Sequence, residues 1–143
     1  MNVNICKLRE DAIVPVYGTE GAACFDLHTV GSGIVEPLSA QTFGTGLAFE
    51  IPEGHVMLVF SRSGHGFKHG LRLSNCVGVI DADYRGEVKV QLRNDTPIAF
   101  GFEQGDRVAQ AMVLPVPRVA FDVVEQLSLT ERGTGGFGST GVA

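Results

Sequence analysis

The residues with the clearest chemical potential lie between Gly78 and Glu87, in the stretch GVIDADYRGE. Two carboxylates, Asp81 and Asp83, stand one residue apart; Tyr84 follows at once, and Gly78 and Gly86 bracket the segment. An acid beside a phosphate can take a proton from water as a general base. With a divalent ion to neutralise the phosphates, such a place becomes a phosphoanhydride hydrolysis site. Tyr84 has the shape to pack under a sugar or a base. The same residues also read as a plain turn, in which the acids satisfy turn amides and Tyr84 belongs to the core.

Three further stretches carry groups of the complementary kind. Ser61-Arg62-Ser63-Gly64 joins a guanidinium fork, two hydroxyls and a glycine amide, the parts of a phosphate cradle or of a polar turn. His65 and His69 stand four apart, but Gly64, Gly66 and Gly70 argue against a helix there and no third ligand is near, so metal binding is not expected of them. Gly105-Asp106-Arg107-Val108-Ala109-Gln110 enters an apolar run on which Gln110 either points a carboxamide into a site or lies on a solvated face. Gly133 to Gly138, GTGGFG, matches G-x-G-x-x-G, but only five residues follow it. A dinucleotide fold needs a long helix after the motif. What is left is a Gly-rich strip with Arg132, Ser139 and Thr140, able to wrap phosphate oxygens as a lid.

Strands must position these groups. No window has a convincing helical period, and apolar runs are broken about every ten residues by Gly, Pro, Asn or Asp, the pattern of a β-sandwich or barrel. Strands are expected at Val3–Leu8, Gly46–Ile51, His55–Phe60, Glu87–Asn94 and Val108–Val116, with weaker ones near Gly21–Leu27, Gly33–Val35 and Leu71–Ser74. Ile98–Phe102 either continues a strand or leads into a turn. GVIDADYRGE itself reads as a tight hairpin-like turn. One domain, 1–130, is expected, followed by a mobile arm, 131–143, whose Phe137 has no reason to be there unless it docks on something.

The chain has 143 residues, 19 glycines and a formal charge of −5. A net negative field does not favour nucleic acid, so a bound polyanion has to be held by local groups and an ion. Cys6, Cys24 and Cys76 have no metal-type spacing and read as reduced, buried thiols. No secretory leader and no membrane-length apolar run is present, and a cytoplasmic protein (nuclear if eukaryotic or viral) is expected.

These stretches together resemble the trimeric dUTPase family, which has five ordered motifs. Ala23-Cys24-Phe25-Asp26-Leu27 is similar to the first, usually A-G-Y-D-L. Ser61-Arg62-Ser63-Gly64 with Lys68-His69-Gly70 is similar to the second, P-R-S-G with K-H-G. Asn75 with GVIDADYRGE is similar to the third nearly letter for letter, GDRVAQ to the fourth, and RGTGGFGSTG, Arg132 to Gly141, to the fifth. The departures are Ala23-Cys24-Phe25, Ser61 in place of Pro, and the filler His65-Gly66-Phe67.

The resemblance implies an all-β, distorted jelly-roll barrel or sandwich that assembles as a homotrimer with a flexible glycine-rich C-terminal arm. It implies hydrolysis of dUTP to dUMP and pyrophosphate with Mg2+, which keeps uracil out of DNA and supplies dUMP for thymidylate synthesis. Asp81 would activate the water attacking the α-phosphorus. Asn75 and the backbone of Gly78, Val79 and Ile80 would read uracil, and Tyr84 would exclude a ribose 2′-OH. Arg62, Ser63, Gly64 and Gln110 would hold phosphates and water, and Asp26 would act on the Mg2+ hydration shell. Phe137 would stack on uracil, with Arg132, Ser139 and Thr140 on the outer phosphates and Gly138 also binding substrate. Direct nucleic-acid or membrane binding is not implied. Two rival readings share the scaffold: a dCTP deaminase, which would have a second Ser where Gly64 stands, and a nucleotide-gated regulatory protein.

Overall fold

The computed structural model describes residues 1–137 and 139. Among them are eleven strands and one short helix: β1 Asn4–Lys7, β2 Phe25–His28, β3 Gly33–Val35, β4 Ala40–Gly44, β5 Leu47–Glu50, β6 His55–Phe60, α1 Ser63–His69, β7 Leu71–Leu73, β8 Val77–Ile80, β9 Lys89–Asn94, β10 Phe100–Phe102 and β11 Arg107–Pro115. Period-two alternation builds the sheets. In β9, Val90, Leu92 and Asn94 are buried while Lys89 and Gln91 are exposed, the pattern of a strand with one face on a core.

One sheet has the order β2-β11-β6-β8 and a second has β4-β9-β7; β1 pairs with β5, and β3 with β10. Every pairing is antiparallel. Leu27, Met57, Val59, Ala109 and Ala111 of the first sheet share one core with Phe43, Leu71, Leu73, Val90 and Leu92 of the second. This is the expected all-β distorted jelly roll.

Three local expectations are corrected. The stretch Gly78–Glu87 is not a hairpin turn. Its first residues belong to β8, which pairs with β6, and the chain from Asp81 to Val88 crosses to β9 in the other sheet. The sharp reversal comes earlier, at Ser74–Cys76, where Cys76 has a φ of 63°. Strand β4 went unpredicted because only Phe43 along it is buried, too little for an alternation signal. A helix does form at Ser63–His69 despite its glycines. Propensity is overridden by packing: the His65 ring lies edge-on to Phe102 at 5.2 Å and to Phe100 at 5.8 Å. Gly70, at φ 62°, then closes the helix in the left-handed conformation that glycine tolerates. The cysteines depart from expectation too: Cys6 and Cys76 are exposed, and Cys24 is half-buried with its thiol pushed up by burial.

Asn94 is a buried staple. Its amide donates to the carbonyls of Val35 and Ile98 at 3.1 and 2.7 Å, and its Oδ1 accepts from the N–H and hydroxyl of Thr96 at 2.9 and 2.8 Å. Asn94→Leu leaves those partners unmatched, and each stranded buried group costs about 1–3 kcal/mol. Chemical denaturation at fixed protein concentration is expected to show a loss of about 3 kcal/mol, and a loss below about 1 kcal/mol would remove the staple role.

Two features point outward. The outer face of the first sheet is apolar: Leu58 stands between Met112 and Val79, Phe60 is next to Val77, and Val56 is paired with Leu114. Beyond β11 the chain leaves the barrel, and Val119, Phe121, Val123, Leu127 and Leu129 are all exposed. The last strand, expected at Val108–Val116, runs over Arg107–Pro115.

Candidate active site

Strand register sets one cluster. Asp26 of β2 is the cross-strand partner of Gln110 of β11, which is the partner of Phe60 of β6, which is the partner of Val77 of β8. Cross-strand partners share a face, so Asp26 and Gln110 project together from the outer side of the sheet. Two residues past the end of β6 stands Arg62, the extended N-cap residue of α1. Its Nε donates to Asp26 Oδ1 at 2.9 Å, and Arg107 donates to Asp26 Oδ2 at 3.3 Å. The Arg62–Asp26 pair is only 22% and 19% exposed, so solvent screens it weakly. Gln110 Nε2 donates to the Ser61 carbonyl at 3.0 Å, and the Ser61 hydroxyl accepts from the Leu73 N–H at 2.9 Å. A hydroxyl at 61 therefore ties β6 to β7. Ser63 and Gly64 open α1 and are exposed, ahead of the first backbone bonds, which run from His65 and Gly66 to the Arg62 carbonyl. The cluster is two guanidinium groups fixed by one carboxylate, a carboxamide and free amides, a donor set for an anion.

Sequence reasoning missed Arg107 and His65 as parts of this cluster. His65 Nε2 lies 2.8 Å from the Arg107 carbonyl and 3.3 Å from Arg62 Nη1. At 2.8 Å from a carbonyl oxygen the ring nitrogen has to be the donor, so the ring packs against Arg62 as a wall. The i, i+4 spacing of His65 and His69 was the available signal, and it reports packing: the rings are 6.4 Å apart and His69 stacks on Phe100 at 4.5 Å. No group of three potential metal ligands occurs among the described residues.

Burial pushes the imidazoles of His65 and His28 below the ordinary 6.5. Around His65, Arg62 and His69 oppose protonation, while the Arg107 carbonyl and Asp106 favour it. As pH falls below 6.5 the unfolded chain takes up these protons before the folded one does. Their contribution to stability is therefore complete above 6.5 and is lost as pH falls through the folded values. The melting temperature is expected to decline between about pH 7 and pH 5, and His65→Phe, which keeps an aromatic ring in the box, is expected to flatten that slope. An unchanged slope would remove His65 as a source of acid sensitivity.

The second cluster lies at the other edge of the same sheet. β8 is an edge strand, so one row of its N–H and C=O groups is unpaired by any strand. A cleft of about 350 Å3 runs beside it, lined by Asn75, Gly78, Val79 and Ile80, with Thr42 and Gln91 facing them. A larger cavity of about 1000 Å3 is lined by Asp81 and Asp83, with Glu50, His55 and Arg85. Val79 borders both. Tyr84 donates its hydroxyl to the Glu87 carbonyl at 3.0 Å and lies over Gly86, where a methyl group would collide with the ring. Asp83 has no hydrogen-bond or ion-pair partner among the described residues; Arg85 reaches Glu50 at 3.6 Å and the Ala82 carbonyl at 2.7 Å.

Asn75, Gly78, Val79 and Ile80 are thus brought together, as are Asp26, Arg62 and Gln110. The two groups are not in one cavity. Three strand spacings separate the Asp26 and Val77 ends of their shared row, about 14 Å. In the arm, Arg132 donates to the Gly135 carbonyl at 2.8 Å, and Phe137 and Ser139 are exposed, touching neither cluster. Gly138 and Thr140 lie outside the described residues.

The fold and these groups define a class first: an antiparallel jelly roll with an arginine-rich anion node at one end of a sheet and an acidic loop at the other. A family model described as dUTPase matches residues 10–141. The chain belongs to the dUTPase family, whose enzymes are dUTP diphosphatases. It is 48% identical over 141 residues to the deoxyuridine 5'-triphosphate nucleotidohydrolase of Nautilia profundicola, covering 99% of each chain. It is 44% identical to that of Helicobacter hepaticus, covering 100% of this chain and 90% of that one. Among solved structures, the dUTPase of Staphylococcus bacteriophage 80alpha with dUPNHPP superimposes with a TM-score of 0.92 at 28% identity, covering 99% of each chain.

Proposed function

We propose that the protein hydrolyses the magnesium complex of dUTP to dUMP and pyrophosphate, in sites assembled between subunits of a homotrimer. The observation that carries this reading is the cleft beside β8, whose lining of Asn75 and strand backbone ends one residue before Asp81. A free strand edge offers alternating donors and acceptors, as a pairing base does. Uracil meets such an edge with an N–H flanked by carbonyls. Cytosine presents the inverted pattern and would strand buried groups, which is the expensive kind of mismatch. Thymine is refused by contact at C5, and a ribose by the Tyr84 ring.

Asp81, leaving the end of the base cleft, takes the proton of the water that attacks the α-phosphorus. Arg62, the amides of Ser63 and Gly64, and Gln110 hold phosphates. Mg2+, carried in on the triphosphate, would neutralise charge on the phosphate oxygens. The residues fit such an ion: hard cations of this kind keep several waters and are held largely by substrate phosphates. Each Asp26 oxygen engaged by an arginine still has a lone pair for one of those waters.

Trimer assembly accounts for three observations together. The base cleft and the anion node do not share a cavity in one chain, and a second copy would bring one to the other. The outer face of the first sheet is apolar, and so is the exposed segment after β11; surfaces of that kind mark interfaces. The arm, with Arg132, Phe137, Gly138, Ser139 and Thr140, closes over a neighbouring site.

Pyrophosphate release measured with dUTP, dCTP, dTTP and UTP tests the reading. Turnover confined to dUTP supports it. Ammonia release from dCTP, or equal turnover of UTP, would sink it.

A further inference from the structure

We infer that Glu87 is a positioning residue that fixes the Tyr84 ring where it meets the sugar, by clamping the end of the 81–88 loop on the Gly44–Gly46 turn. The inference rests on the proposed function and concerns a residue that the site description leaves without a role.

The Glu87 side chain is folded back against a turn 41 residues away in sequence: Oε1 accepts the Gly46 N–H at 2.9 Å. The seat is close, since a methyl group on Gly44 would stand 2.5 Å from that same oxygen. Oε2 lies 3.3 Å from Lys89 Nζ, which neutralises the carboxylate on its open side. The next residue is held by the same turn. The Thr45 hydroxyl and N–H both donate to the Val88 carbonyl, at 2.7 and 3.2 Å, and the Val88 N–H donates to the Leu47 carbonyl at 2.9 Å. The peptide group between Glu87 and Val88 is therefore held through the Val88 N–H, and the peptide group that follows it is held by Thr45.

The Glu87 carbonyl is the one that accepts the Tyr84 hydroxyl at 3.0 Å. At its other end Tyr84 is tied by its own N–H to the Asp81 carbonyl at 3.2 Å. The ring spans these anchors over Gly86, the only residue type that leaves room for it there. Any swing of the Glu87 carbonyl is thus passed to the phenol oxygen. A ring that refuses a single hydroxyl group has to hold its place to about half an ångström. Loosening the clamp admits the 2′-OH and makes contact with the deoxyribose less productive. The Glu87 carboxylate lies outside the hydrophobic core, but its loss strands the buried Gly46 N–H, so the effect on substrate choice is read beside the melting temperature.

The test is steady-state hydrolysis of dUTP and UTP by the full chain and by Glu87→Ala and Glu87→Gln, with melting temperatures alongside. Glu87→Ala is expected to lower the ratio of kcat/KM for dUTP over UTP by roughly tenfold or more. Glu87→Gln keeps an oxygen for the Gly46 N–H and is expected to stay within about threefold of the unsubstituted ratio. An unchanged ratio in Glu87→Ala overturns the inference whatever the melting temperature does. If Glu87→Ala does not fold, Glu87→Asp, one methylene short of Gly46, carries the test, and an unchanged ratio there overturns it equally. A protein that fails to prefer dUTP over UTP before any substitution overturns the functional reading itself, so the two failures are told apart.

Discussion

Asp81→Asn is expected to lower kcat by about three orders of magnitude or more while a non-hydrolysable dUTP analogue still binds with nearly unchanged affinity. Asn has the shape of Asp but cannot take a proton, and loss of a general base is worth about 10²–10⁴ in rate. Binding is expected to survive because the groups assigned to the base, Asn75 and the backbone of Gly78 to Ile80, lie in a cleft that Asp81 does not line. An effect on kcat without one on affinity is the mark of an interaction made in the transition state. Single-turnover kinetics and calorimetric titration separate the two. Asp83 is the internal control: it borders the same large cavity and is exposed, as Asp81 is, but lies farther along the chain from the end of the base cleft. Asp83→Asn is expected to keep turnover within a few-fold. A kcat within tenfold of the unsubstituted protein for Asp81→Asn, or a collapse for Asp83→Asn, would move the base to another residue.

Removing residues 132–143 is expected to leave a folded trimer whose kcat/KM for dUTP falls by about a hundredfold or more, since closure of a lid excludes water and completes the set of phosphate contacts. The barrel should not register the loss. In the described part of the arm, hydrogen bonds run only within the arm and its approach: Arg132 to the Gly135 carbonyl, and the Gly133 N–H to the Thr130 carbonyl at 3.1 Å. Phe137 touches no core residue and is fully exposed. Truncation after Val116 is a different experiment. It also removes Val119, Phe121, Val123, Leu127 and Leu129, an apolar run that is exposed among the described residues. That truncation is expected to shift the assembly from trimer toward smaller species in light scattering. Two results would refute this division of the C-terminal region. One is loss of the trimer on removing residues 132–143 alone. The other is full turnover without them.

Much of this architecture was legible before any coordinates. Strand β9 announces itself by alternation because one face is buried, and β6 and β11 by short apolar runs bounded by turn residues, signals that need no knowledge of the partner strand. The acidic loop was legible for a related reason. Asn75, Asp81 and Tyr84 lie within ten residues of one another, so the chain itself keeps them together. The helix at Ser63–His69 was not, because three glycines argue against it and what overrides them, the contact of His65 with Phe100 and Phe102, lies more than thirty residues downstream.

By itself the sequence determined the all-β class and the family motifs, and it singled out Asp81, Tyr84 and Arg62 as candidates for the site. Only the tertiary structure decided who meets whom. Asp26 is shared by Arg62 and Arg107, 36 and 81 residues away, Glu87 is seated on Gly46, and β8 is an edge strand of one sheet while β9 belongs to the other. The physical reason is that period-two patterning says which face a side chain takes and nothing about its neighbour. Strand order and register supply the neighbour, and they are settled by the packing of the whole core at once.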